Sequence, residues 1–454
     1  MRGIFTRVSP GLASRSLVLL VLAAHAGFAE TTADTRAQWA ETLKYGIDSQ
    51  IVELVQRIRD AKDTNFGPDL AAVLSKSKST DVQKAILDLL TDQGLRDAEE
   101  TAKGFLATWR DRRSDVALST LRYLAEMKTQ GISEYLLEIC DGEDNALALQ
   151  AIDALGKIGD AGVSKSLLER LESQDFQADR KPQLVLAIGN QRDPAAVDAL
   201  IAIVKNRDAE SALRLYAAAS LGRIGDQKAI PVLKDLLKES DALSRAYAAG
   251  ALVNFDVSLV IDELFQGLRD DNWKVRVECA KALARQLPAN RISDAVSILL
   301  YKAKWDPVSQ VKLEAIRSLA AIGNEAAMAG LLRIFGDLQA SVETREKSLS
   351  LLTEKGISSQ VLDDIKRTID ADWNAKNSKA LQAEAKVLSM AKSEGLEPIF
   401  AKFLGSQDLT LRIYGIRGIE LNRFSGQKER LLELAVKDPY PYVQAEAKRV
   451  SSGL

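Results

Sequence analysis

A ten-residue pattern recurs along the chain at a nearly constant interval, and no other feature narrows the possible folds so strongly. It is plainest in Ala151-Ile-Asp-Ala-Leu-Gly-Lys-Ile-Gly-Asp160, Ala217-Ala-Ala-Ser-Leu-Gly-Arg-Ile-Gly-Asp226 and Ala315-Ile-Arg-Ser-Leu-Ala-Ala-Ile-Gly-Asn324. Taking its central apolar residue as an anchor puts Leu90, Leu124, Leu155, Val185, Leu221, Leu252, Leu283, Leu319, Leu352, Leu388, Ile419 and Val450 in one register. The steps run from 30 to 36 residues and average about 33, room for two short helices and two turns. Only 10 prolines occur in 454 residues, and the segments between anchors are rich in Ala, Leu, Glu, Lys and Arg. With little Val/Ile/Thr alternation from which to build a sheet, an all-α chain is expected.

Within a unit the spacing carries a packing rule. Ala217, Ala248, Cys279 and Ala315 stand four residues before their anchors, on the same helical face one turn back, where small side chains let helices approach closely. A second amphipathic run follows the turn, as in Ala229-Ile-Pro-Val-Leu-Lys-Asp-Leu-Leu-Lys238, with Pro231 suited to a first helical turn. Asp193-Pro194, Asp306-Pro307 and Asp438-Pro439 read as caps followed by the first helical residue. Seven residues before the anchors stand Arg214, Arg245, Arg276, Lys312, Arg345 and Arg412, and ahead of most of them Asp208, Asp241, Asp271, Asp306 or Asp408. Such an acid and cation in each repeat are expected to form a structural ladder of hydrogen bonds and ion pairs along the stack.

The pattern resembles the HEAT-repeat family, in particular short units similar to those of phycobilisome lyases. The strongest match is Asp271-Asn-Trp-Lys-Val-Arg-Val-Glu-Cys-Ala-Lys-Ala-Leu283. The resemblance spans roughly residues 80–454 and implies an α-solenoid, a right-handed superhelix of helical hairpins whose concave side offers a long docking surface. Some units depart from it. The repeat around Val185 lacks the cation, the one around Leu388 has Leu381 in its place, and Val450 has no second helix after it. Residues 30–79 are expected to add a divergent N-terminal cap, with Leu43-Lys-Tyr-Gly46 as a degenerate anchor. No linker or low-complexity tract divides the chain, which reads as one domain after its leader.

Residues 1–29 have the order of a secretory signal peptide: Arg2, Arg7 and Arg15 without an acid, the apolar run Leu17–Ala24, then small residues before cleavage after Ala29 or Ala26. The apolar run is about half of the ~20 residues needed to span a bilayer, so export to a periplasm or cell envelope is expected, with no transmembrane span in the mature chain. Removing the leader removes the only histidine, His25, and leaves 58 Lys+Arg against 63 Asp+Glu. That balance gives no general attraction for phosphate backbones, and no imidazole remains for acid–base or metal chemistry. The two cysteines, Cys140 and Cys279, lie too far apart for a fold of local contacts to pair them.

Other candidate chemistry reads as structure. Asp363-Asp364 and Asp370/Asp372 are expected on a solvated helix surface, since adjacent helical residues do not face each other and no calcium-type loop accompanies them. The recurring glycines end helices instead of cradling phosphates. Cys279 holds the small-residue position of its repeat and Cys140 an apolar face, so both are expected in the core, although the lyase resemblance would imply a pigment ligand. Trp109 with Arg110, Arg112 and Arg113, Trp273-Lys274, and Lys302/Lys304-Trp305 are the basic-aromatic clusters a nucleic-acid surface would use. Trp and Arg also dominate protein interfaces. The expectation is a non-enzymatic scaffold without cofactor or metal that docks a protein partner along its concave face. A pigment-handling lyase or chaperone is the alternative, and nucleic-acid binding a weaker one.

Overall fold

The computed structural model describes residues 33–159, 162–285 and 287–454, so the leader and its cleavage sites lie outside the described residues. Among the described residues there are 26 α-helices and no strand. Every anchor sits in the first helix of a hairpin, from Thr80–Gln93 through Ala242–Leu252 to Pro441–Gly453, and none is more than 2% exposed. The chain is an α-solenoid of HEAT-like hairpins.

The helix ends follow from the motif. Four residues after the anchor the backbone turns left-handed, at Gly94 (φ 67°), Gly159 (φ 69°) and Gly225 (φ 77°), where glycine carries no Cβ penalty. The Leu95 N–H then donates back to the Leu90 carbonyl at 2.9 Å, closing the helix. Lys128 (φ 51°) and Arg423 (φ 54°) take the same conformation without being glycine. At helix starts Asp144, Asp241 and Asp408 accept backbone N–H groups, as does Asp193 ahead of Pro194. Asp306 and Asp438 correct the Asp-Pro reading: they cap the turns before their helices, which begin at Ser309 and Pro441.

Contacts divide the chain into two compact units, up to Ala199 and from Leu200, a boundary inside the helix Val197–Lys205. In the first unit, each anchor helix from Thr80–Gln93 to Lys181–Gln191 packs on the next. Gly156 makes the joint to Ala187 so close that a Cβ there would lie 2.9 Å from the Ala187 Cα. Leu43 is buried, but the helix that packs on Thr80–Gln93 is Asp48–Ala61. Its fully buried Ile58 stands four residues before the left-handed Lys62, the place an anchor takes.

The second unit continues the rule from Ser211–Ile224 to Pro441–Gly453, each anchor helix packed on the next. Gly222 meets Ala251 more closely still, with 2.6 Å between an added Cβ and the Ala251 Cα. Second helices touch one another far less than anchor helices do. Within this unit the anchor helices are therefore the more closely joined layer.

Candidate protein-docking face

Two sets of side chains repeat with the stack: buried cations between hairpins and the solvent-facing side of the anchor helices. The cations hold those helices in register. Arg276 donates from Nε and Nη2 to the two carboxylate oxygens of Asp306, both at 2.8 Å, and from Nη1 to the carbonyls of Asp270 and Asp271. Arg245 does the same with Asp270 (2.7 and 3.0 Å) and the carbonyls of Glu239 and Ser240. Arg412 reaches Asp438 at 2.6 Å and the Ser406 carbonyl, and Arg214 reaches Glu239 at 2.7 Å and the Val204 carbonyl. Each arginine thus grips the carbonyls of its own turn and an acid of the following repeat.

The partners therefore differ from the acids singled out ahead of each cation. Asp208 and Asp271 are exposed, Asp271 lending only its carbonyl, while Asp241 and Asp408 cap their helices. Asp306 alone of the five takes an arginine. Lys312 is half-buried and forms no ion pair among the described residues. Where Leu381 replaces the cation, the adjacent Gln382 donates to Asp408 at 2.7 Å. The repeat around Val185 has a cation after all. Arg180, two residues later than the register predicts and 1% exposed, donates to the Cys140 and Gly142 carbonyls and to Asn145. Its position in a short 3-10 turn hid it from a ruler based on helical spacing.

Burial pushes the Asp306 carboxyl up, but the Arg276 guanidinium, the Val308 N–H and the charges of Arg276 and Lys302 hold it below the usual carboxylate range. Arg345 is different, since it faces two carboxylates, Asp372 and, at 2.7 Å, Glu384, all three almost fully buried. Burial pushes Glu384 up to about 8 against the pull of Arg345, with Asp372 adding to the rise. Asp372 is thus no surface carboxylate: it is 1% exposed, whereas Asp370 meets solvent and Lys402. The sequence carried a signal, because Glu384 stands four residues before Leu388, where other repeats have Ala217, Ala248 or Cys279.

The solvent side of the anchor helices carries a groove of about 640 Å³ across Ser211–Ile224, Ala242–Leu252 and Trp273–Leu283. Its floor is small, with Ala219, Ala246, Gly250 and Ala251; Leu243, Tyr247 and Trp273 rise from it. The Tyr216 and Tyr247 rings lie 6.3 Å apart. Lys274 stands 5.9 Å from the Trp273 ring, and Lys281 pairs with Glu278 at 2.7 Å. Lys304 and Trp305 do not join this site, because they end the second helix Ile292–Trp305 in the other layer. There Tyr301 and Trp305, both more than half exposed, form a separate aromatic pair one helical turn apart.

The remaining candidates are engaged internally. Arg110 pairs with Glu138 and stacks on the half-buried Trp109, Arg112 covers the Phe105 ring at 3.6 Å, and Arg113 pairs with Asp115 at 2.8 Å. Cys140 and Cys279 are fully buried and unpaired. Burial pushes the Cys140 thiol up to about 12 and raises that of Cys279 as well. The sulfur of Cys279 nests against Gly267, where a Cβ would lie 2.3 Å from it. No helix of the described residues is long and apolar enough to cross a membrane.

Residues 43–450 match the family described as spirochaete HEAT repeat protein. No curated protein sequence matches the chain. Among solved structures, Kap121p is similar at 12% identity and TM-score 0.43, with 96% of this chain and 56% of that chain covered. Importin beta is similar at 13% identity and TM-score 0.41, over 98% of this chain and 72% of that one. The CpcE–CpcF complex of phycocyanin lyase from Nostoc sp. PCC7120 is similar at 20% identity and TM-score 0.34, over 53% of this chain and 95% of that one. The chain thus spans little more than half the length of Kap121p.

Proposed function

The chain belongs to the spirochaete HEAT repeat proteins, and from that premise we propose that it is a non-enzymatic scaffold of the periplasm or cell envelope that docks a protein partner on its anchor-helix face. The groove across three successive anchor helices carries this reading. It joins the exposed Leu243 and Trp273 and the half-buried Tyr247 to a floor of small side chains, the composition that protein interfaces favour at their centres. The leader-like residues 1–29 support export. Buried, protonated thiols leave little for covalent pigment attachment, and in the basic cluster around Trp109 Arg110 and Arg113 pair with neighbouring acids while Arg112 lies over the Phe105 ring.

The test is a photo-crosslinker placed in turn at Tyr247, Tyr301 and Met390 in intact cells, combined with fractionation. A discrete protein adduct from Tyr247 in the envelope fraction is expected. A cytoplasmic protein without adducts from any of the three positions contradicts the proposal.

A further inference from the structure

The groove has polarity as well as shape. Consecutive anchor helices run in register, so equal offsets from the anchor line up as rows across them. Tyr247, five residues before its anchor, makes one wall, with the Tyr216 ring at the same offset 6.3 Å from it, and Ala219 and Gly250, two before, make the floor. Arg223 and Asn254, two after, make the opposite wall. In the third helix the same places hold Glu278 and Lys281, whose mutual ion pair closes the floor. The result is a channel across two joints of packed helices, roughly 20 Å long at ~10 Å per joint. That length matches about six residues of extended chain.

Its charges are unequal. Glu278, the only acid along it, is taken by Lys281, whereas Arg223 and Lys274 have no carboxylate partner among the described residues. Lys274 stands beside the Trp273 ring, so an anion arriving there meets a cation next to an apolar surface.

We propose that this channel binds an extended acidic segment of the partner protein, with carboxylates on Arg223 and Lys274 and a large apolar side chain between Leu243, Tyr247 and Trp273. Asn254 supplies a donor and an acceptor on the cationic wall for the backbone of such a segment. The inference rests on the scaffold reading and narrows it to one partner chemistry.

The test uses the purified protein and a labelled hexapeptide with Phe-Leu between two Asp-Glu pairs, beside a counterpart in which the acids are Lys and Arg. The acidic peptide is expected to bind at least about tenfold more tightly, with R223E/K274E reversing the preference. G250L, which fills the floor without a backbone clash, is expected to weaken it by about tenfold or more. Equal binding of the two peptides, binding of neither, or indifference to R223E/K274E overturns the proposal. Segments captured by the Tyr247 photo-crosslinker separate the two readings. Basic or neutral segments overturn this inference while the scaffold stands, and the absence of adducts from all three probe positions removes the scaffold itself.

Discussion

Arg276 holds Asp306 through two parallel hydrogen bonds across 30 residues, with the arginine side chain 7% exposed and the carboxylate fully enclosed. The same guanidinium grips two carbonyls of its own turn, so one side chain fixes both the local turn and the repeat that follows. A stack of hairpins can slide or splay wherever its interface is merely apolar. A bidentate pair, as at the joints of Arg245, Arg276 and Arg412, adds a direction to the packing.

Arg276→Met leaves the buried Asp306 carboxylate with Lys302, at 3.3 Å, as its remaining cation, and a loss of up to about 3–5 kcal/mol in urea denaturation is expected. The double variant Arg276→Met/Asp306→Leu should recover most of it, because the uncompensated charge is gone. In the native protein this contribution is present above the ordinary carboxylate pKa of 3.8 and is lost as pH falls through the depressed value of Asp306. Denaturation midpoints measured as the buffer is taken below pH 4 check the sign.

Glu384 predicts the opposite slope. Its folded pKa, about 8, lies above the ordinary 4.5, so the folded state binds more protons between those values and stability falls as pH rises through them. Glu384→Gln keeps the neutral form throughout and should flatten that dependence. Melting temperatures of the two proteins at pH 6 and pH 9 provide the comparison.

Gly222→Ala drives a Cβ to 2.6 Å from the Ala251 Cα, backbone against backbone, and an overpacking loss of about 2–3 kcal/mol is expected. Gly94→Ala meets nothing within 4 Å and is burdened only by its positive φ, so about 1 kcal/mol is expected there. Equal losses in thermal or urea unfolding would contradict the close approach.

Cys140 and Cys279 should react with a thiol reagent only at the rate of unfolding, because burial hides both and keeps them protonated. Gly267→Ala should destabilise the protein, and Cys279→Ala should relieve part of that loss, a coupling readable from a double-mutant cycle. Fast labelling of folded protein would place a thiol at the surface.

The repeat, its period and the burial of every anchor were legible in the sequence, since they depend on spacings within one helix that hold in any helical hairpin. So were the left-handed helix ends, at least where the residue is glycine. Ile58 was not, because its repeat closes on Lys62, and a lysine at a positive φ leaves no trace in composition. Arg180 escaped for a related reason, doing a repeat's work two residues out of register, while Glu384 stands in register but is an acid where other repeats have a small residue.

Residue types at fixed intervals determined what the chain is made of: paired helices, an aliphatic core and a cation in most joints. Which acid each cation takes was decided only by stacking, because the closest carboxylate in space belongs to the next repeat and not to the residues just ahead in sequence. Stacking likewise joined Tyr247 and Gly250 of one helix to Arg223 of the preceding anchor helix as walls and floor of one channel, since rows across helices exist only once neighbouring helices have set their register.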